Sequence, residues 1–294
     1  MLKLNGIYPP LPTSFDGNEE LAVDKMKKNI TSLCKYDLAG FLVLGSNGEL
    51  VNLSEKEKHE IYSSTRESIP ANKIMLAGTG GQSTRETIIN TKAAANSGAD
   101  AALVLNPSYY KGLMTGDALK HHYWSVADSS SIPIIIYNMP ANTSLDMDAE
   151  TIVKISIHEN IIGLKDSGGN IVKMGDIKQM ADHEFQILAG SAGFLLPALA
   201  MGAVGGILAL ANILPDKCIR VYNNFFSGNI ETAKETQLEL IQINSAVTSK
   251  WGIPALKAAM DFIGLYGGDS RKPILPIKPE IKNQLIELLE KQLK

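Results

Sequence analysis

Two residues in this chain have the types and the placing to do chemistry together. Lys165 ends the apolar run of "NIIGLKDSGG" (160–169), and Tyr137 ends that of "PIIIYNMP". A lysine at the end of a buried strand is either a solvated strand end or a nucleophile in a dry pocket. Apolar surroundings disfavour an ammonium ion, and the neutral amine that results can attack a ketone and form a Schiff base. A phenol within reach can act as acid and base in the accompanying proton transfers. If the two runs are neighbouring strands, their ends lie about 4.8 Å apart. The pair points to covalent catalysis on a carbonyl compound; the plainer alternative is a tyrosine packed under a loop beside a wet lysine.

Other polar groups fall at the ends of apolar runs. The turn "GSNGE" (45–49) offers the Ser46 hydroxyl, the Asn47 amide and glycine-permitted backbone N–H groups. Such turns form concave sites for a carboxylate or phosphate, although a turn of this kind needs glycine in any case. Ser108, Tyr109 and Tyr110 follow another run, Gly190 and Ser191 a third, and Ile207 lies in the last one. Gly190 and Ile207 are counted with the substrate-binding residues. "GTGGQST" has Ser83 where a dinucleotide-binding loop needs its third glycine, so no such cofactor is expected. The five histidines show no HExxH spacing, and no GxSxG elbow is present. Cys34 and Cys218 are far apart and read as free core thiols. Neither a metal nor an organic cofactor is expected.

The elements that must position these residues recur with a steady beat. Eight short apolar runs appear in order: "GIYPPLP", "GFLVLGS", "KIMLAGTG", "AALVLNPS", "PIIIYNMP", "IIGLKDS", "FQILAGS" and "GGILALAN". Each is apolar on consecutive positions, as strands covered on both faces are. Their spacing leaves room for one helix between each pair, the length of a βα unit of roughly 30 residues. "SEKE" and "STRE" carry Ser54 with Glu57 and Ser83 with Glu86, two capping-box signatures. Eight strands alternating with helices predict an α/β fold, a (β/α)8 TIM barrel, whose active-site residues come from the C-terminal strand ends. Past about residue 215 the pattern is helical only. The expected division is a catalytic barrel over 1–220 and a small C-terminal helical domain over 221–294.

Bulk properties narrow the classes. The chain has 294 residues, is 45% hydrophobic and 20% charged, and carries a formal net charge of −3. Nothing in that balance suggests a nucleic-acid surface. No apolar run approaches the roughly 18 residues of a membrane span. The start, "MLKLNGIYPPLPTSF", lacks the pattern of a signal peptide, so a cytoplasmic location is expected, with the mature form of an organellar protein as the alternative.

"GSNGE", "SYY", "YNMPANT" and "GLKDS", in that order on a barrel with a helical tail, resemble the dihydrodipicolinate synthase/N-acetylneuraminate lyase family. The resemblance runs over essentially the whole chain. It implies a class I aldolase-type lyase without cofactors, in which Lys165 forms a Schiff base with a pyruvate-derived 2-keto acid and Tyr137 shuttles protons. It assigns carboxylate binding to Ser46 and Asn47, and to Tyr110 the role of completing a neighbour's proton relay within a homotetramer. Two departures narrow it further. Synthases of this family usually carry GTTGE, and an arginine two residues after the proline of YNxPxRT; here Asn142 stands at that place. A neutral amide cannot replace the bidentate contact of an arginine with a carboxylate.

Other segments, such as "GADAALVLNPSYYKG", "PANTSLD" and "NSAVTSKWGIPALKAAMDFIGLYGG", are similar to the 4-hydroxy-2-oxoglutarate aldolase branch. The expected reaction is cleavage of that acid to pyruvate and glyoxylate, with Ser167 placed to meet the second carboxylate. A 2-keto-3-deoxy sugar-acid aldolase and 4-hydroxy-tetrahydrodipicolinate synthase are the alternatives within enzymes. A non-catalytic keto-acid-binding barrel is the alternative outside them, and the Lys–Tyr pair argues against it.

Overall fold

A computed structural model describes residues 1–293; Lys294, the last residue of the expected tail, lies outside the described residues. The strands are β1 (Gly6–Tyr8), β2 (Gly40–Val43), β3 (Ile74–Gly78), β4 (Ala101–Leu105), β5 (Ile134–Asn138), β6 (Ile161–Asp166), β7 (Gln186–Ala189) and β8 (Gly205–Ile207). From β2 to β8 each strand pairs in parallel with its sequence neighbours, and β8 returns to pair in parallel with β1. The residues just past β1 bring the ring nearly closed against β2: Leu42 N–H donates to Pro9 O at 3.0 Å and Leu11 N–H to Leu42 O at 2.8 Å. The first apolar run is thus a shorter strand than expected. Pro9, Pro10 and Pro12 have no N–H to give, so pairing past Tyr8 rests on isolated bonds.

Continuous apolar runs become two-faced once the strands are laid side by side. Tyr8, Leu42, Leu76, Leu103, Ile135, Tyr137, Leu188 and Ile207 form one cluster inside the barrel. Ile7, Phe41, Val43, Met75, Ala102, Val104, Ile134, Ile136, Leu164 and Ile187 belong to a second, between strands and helices. Alternate side chains of each strand feed alternate layers, which is why no polar residue interrupts the runs until their ends. "GAVGG" serves close packing: a Cβ at Gly205 would lie 2.0 Å from the Gly6 carbonyl oxygen.

The connecting helices are α1 (Val23–Leu33), α2 (Glu55–Ser68), α3 (Thr84–Asn96), α4 (Gly116–Asp128), α5 (Pro140–Thr143), α6 (Ala149–Ser156), α7 (Ile171–Met180), α8 (Leu195–Ala200) and α9 (Pro215–Phe226). The capping box of α2 is complete, with Ser54 and Glu57 satisfying each other's backbone N–H. That of α3 is half formed. Ser83 accepts from Glu86 N–H, but the Glu86 carboxylate accepts from Gln82 N–H instead of Ser83.

Beyond the barrel run α10 (Ile230–Ser245), α11 (Gly252–Phe262) and α12 (Pro279–Leu293), with a π-helical turn at Ala246–Lys250. Helix α9 continues across residue 220, where the division of the chain was expected. Leu240, Ile243, Val247, Leu256, Leu285 and Leu289 of the tail share one apolar cluster with the barrel's outer layer. The tail is therefore packed onto the barrel by the same burial of apolar surface that holds the barrel helices.

Candidate active site

The adjacency of β5 and β6 sets the centre. Tyr137 and Lys165 are direct cross-strand partners in the ladder, so both side chains leave the C-terminal ends of their strands on the same inward face. Lys165 is 4% exposed, and its Nζ lies 4.1 Å from the centroid of the Tyr137 ring. A cationic nitrogen over a ring face is attracted by the ring's quadrupole. The Tyr137 hydroxyl and the Ser46 Oγ are 3.3 Å apart. Burial alone would push the Tyr137 phenol up; the Lys165 ammonium and hydrogen bonds from Ser46, Lys165 and Ser167 outweigh it and hold the phenol below its ordinary value.

Ser46 opens a single 3₁₀ turn, Ser46–Gly48, in the loop after β2. Tyr137, Ser46 and Asn142 line one cavity of about 600 Å³ at this end of the barrel, together with Leu103, Leu105 and Thr143. Asn142 belongs to the short helix α5 that Pro140 starts directly after the Tyr137 strand. Asn47, the middle of the 3₁₀ turn, is half-buried and does not wall that cavity.

Ser167 and Gly190 meet one another. A Cβ at Gly190 would lie 2.0 Å from Ser167 Oγ and 2.6 Å from Asp166 O, so only glycine leaves the hydroxyl its place beside the phenol. Ile207 is buried in the barrel's inner layer with Tyr137 and Leu188 rather than at the cavity wall. Tyr110 is 68% exposed, packs edge-on against Tyr109 with ring centroids 5.0 Å apart, and does not line its own chain's cavity.

Sequence reasoning passed over a buried polar group behind this centre. Asn138 and Asp166, the residues next after Tyr137 and Lys165, are paired in the same register and wholly buried. Asp166 accepts from Asn138 Nδ2 at 2.9 Å and Gly168 N–H at 2.7 Å, and Lys173 Nζ stands 3.2 Å away. Lys173 also pairs with Asp146, and Asn138 Oδ1 accepts from Met147 N–H at 3.1 Å. Every polar atom of the Asn138 amide is thereby used, as burial requires. A signal was available: two polar residues each directly follow a chemically reactive one at the end of an apolar strand.

Lys165 stands behind Tyr137 rather than among the residues that wall the cavity. A buried amine beside a phenol that faces a cavity, with a serine hydroxyl at the phenol, can add to a carbonyl and move protons at the adduct. That is the class of Schiff-base lyases. Comparison with known proteins carries the assignment further. Residues 3–292 match the model of the Dihydrodipicolinate synthetase family. A protein of Emericella nidulans named "Probable 4-hydroxy-2-oxoglutarate aldolase, mitochondrial" is 39% identical over 91% of this chain and 88% of its own length. The 4-hydroxy-tetrahydrodipicolinate synthase of Methanococcoides burtonii is 33% identical over 97% of each. Among solved structures, dihydrodipicolinate synthase DapA-2 of Bacillus anthracis superposes with a TM-score of 0.95 at 26% identity, covering 99% of both chains. YagE of E. coli K12, solved in complex with pyruvate, has a TM-score of 0.93 at 27% identity, again over 99% of both. The chain belongs to the dihydrodipicolinate synthetase family, as a carbon–carbon lyase of the class I aldolase type.

Proposed function

We propose that this lyase cleaves 4-hydroxy-2-oxoglutarate to pyruvate and glyoxylate. The observation that carries the reading is Asn142 on the cavity wall, where the family's synthases usually present an arginine. A wall without that guanidinium departs from the synthase's bidentate grip on aspartate semialdehyde, and the second carboxylate of the hydroxy acid is then held by neutral donors. The identity with the Emericella nidulans protein supports the same choice.

In this mechanism Lys165 Nζ adds to the C2 ketone and water leaves, giving a protonated imine. Ser46 holds the adjacent carboxylate, with Asn47 contributing through its backbone N–H, since its side chain lies off the cavity wall. The Tyr137 phenolate takes the C4 hydroxyl proton, and the C3–C4 bond electrons move into the imine as an enamine while glyoxylate departs. Protonation at C3 and hydrolysis then release pyruvate and restore the amine. Ser167 positions the second carboxylate. Tyr110, exposed at the surface, completes the relay of a neighbouring subunit in a homotetramer, and the enzyme works in the cytoplasm without a cofactor.

The decisive assay offers a panel of pyruvate-yielding acids and reads pyruvate with a coupled lactate dehydrogenase. 4-Hydroxy-2-oxoglutarate should have the highest kcat/KM. A higher value with a 2-keto-3-deoxy sugar acid, or condensation of pyruvate with aspartate semialdehyde, would overturn the substrate. The synthase is the second reading, favoured by the name of the Methanococcoides burtonii relative. Borohydride added with pyruvate should leave a reduced adduct on the Lys165 peptide, and no mass increase there would remove the imine step.

A further inference from the structure

The helical tail reaches the site through one buried ion pair. Glu49 follows directly on the Ser46–Gly48 turn with a left-handed backbone, φ 55°. Residues other than glycine seldom adopt that conformation, and it persists where the surroundings dictate it. Here they do. The Glu49 side chain is fully buried, with Oε1 2.9 Å from Lys257 Nζ on α11 and Oε2 accepting from Arg271 N–H at 3.0 Å. Lys257 Nζ also donates to Asp269 O at 2.8 Å and lies 4.7 Å from the centre of the Phe15 ring. From the other side, Thr13 Oγ1 donates to Gly48 O at 2.6 Å.

A buried ion pair adds little stability over a well-packed apolar pair, because both ions lose their water. What it adds is direction. One carboxylate oxygen of Glu49 accepts from the Arg271 backbone and the other stands in ion contact with Lys257 without hydrogen-bond geometry, so rotating the backbone leading into the turn would break the first and pull the charges of the second apart. Ser46 lies three residues away and must meet both a substrate carboxylate and the Tyr137 hydroxyl.

We propose that Lys257 is a positioning residue: through Glu49 it holds the Ser46–Gly48 turn in its carboxylate-binding pose, so that the tail completes the active site. The proposal rests on the reading of Ser46 as a carboxylate ligand, and its test keeps the two apart.

The measurement is the pyruvate concentration giving half-maximal borohydride-trapped adduct on Lys165, which does not depend on which keto acid is the natural substrate. K257M should raise it about tenfold or more while the maximal adduct stays unchanged, the pattern of lost ground-state binding. K257R should recover part of the loss. E49Q/K257M leaves no uncompensated buried charge, so it should fold even if K257M does not, and it should show the same rise. L285A, in the fully buried core of α12, loosens the tail without touching the turn and should leave the concentration near that of the parent protein. An equal rise in L285A at matched loss of Tm, or no rise in K257M and E49Q/K257M, overturns the proposal. S46A separates the layers: a rise in S46A without one in the Lys257 variants rejects only the clamp, whereas no rise in S46A rejects the carboxylate reading and the clamp with it.

Discussion

Asn138 donates to Asp166 across β5 and β6 one rung beyond the pair Tyr137 and Lys165. Side chains alternate across a strand, so the polar pair faces the helices while the reactive pair faces the barrel interior. One rung thereby fixes the next. The hydrogen bond sets how the two strand ends lie against each other, and with it the height of the amine over the ring.

N138A removes a donor from a wholly buried carboxylate and the acceptor of Met147 N–H. Stability should fall by about 1–3 kcal/mol, read by thermal unfolding. Turnover should fall by about tenfold or more as the strand ends lose their mutual placing, since misplacement of reacting groups is costly. Lowered Tm with unchanged turnover would show that the pair only supports the fold.

Tyr137→Phe keeps the ring that covers Lys165 and removes only the hydroxyl. Loss of a positioned general acid–base costs about 10²–10⁴-fold in turnover. Imine formation with pyruvate, followed by borohydride trapping, should survive in part. Near-normal turnover would remove Tyr137 from proton transfer.

The pH profile should report on Ser46. Hydrogen bonding from Ser46 is one of the causes that keep the Tyr137 phenol below its ordinary value against the opposing pull of burial. A phenolate base makes kcat/KM rise as pH rises through the phenol's pKa. In S46A that pKa moves up, so the rising limb should shift to higher pH. A limb that stays in place would mean another group titrates.

Acid stability should depend on Glu57. The Arg271 guanidinium bonded to it at 2.6 Å, helped by Ser54, outweighs partial burial and lowers its carboxyl from 4.5 to about 2. A depressed folded-state value means the stabilisation is complete above the unfolded value and lost as pH falls from about 4.5 towards 2. Partial exposure screens the pair, so about 1–2 kcal/mol should be at stake. E57Q should flatten the stability–pH curve in that window, as read by denaturant titration. An unchanged slope would place the acid sensitivity elsewhere.

Much of the architecture was legible because its determinants are local. Consecutive apolar residues in eight runs, separated by capped helices, demand a parallel sheet covered on both faces, and each run appears as a strand. The exception is instructive: "GIYPPLP" pairs for three residues only, since prolines cannot supply ladder donors. Lys165 and Tyr137 were legible for a related reason. A reactive side chain ending an apolar run stands out against it, and neighbouring strands in sequence are neighbours in a barrel. Asn142 lies on the cavity wall, while Lys165, Asn47, Ser167, Gly190 and Ile207 are not among the residues that line it, because whether a strand-end residue faces a cavity depends on turn geometry that residue type does not encode.

The chain's pattern of apolar runs, caps and strand-end polar residues was enough to set the barrel, the order of its strands and the amine–phenol pair. Those follow from periodicities of a few residues and from the rule that successive parallel strands pair. Contacts between residues far apart in the chain were beyond that reach. Lys257 meets Glu49 across more than two hundred positions, and Lys173 comes back to Asp166 from a following helix. Neither partner announces the other, because a buried charge finds its counter-ion through packing of whole elements, and that packing is settled only when the complete core closes.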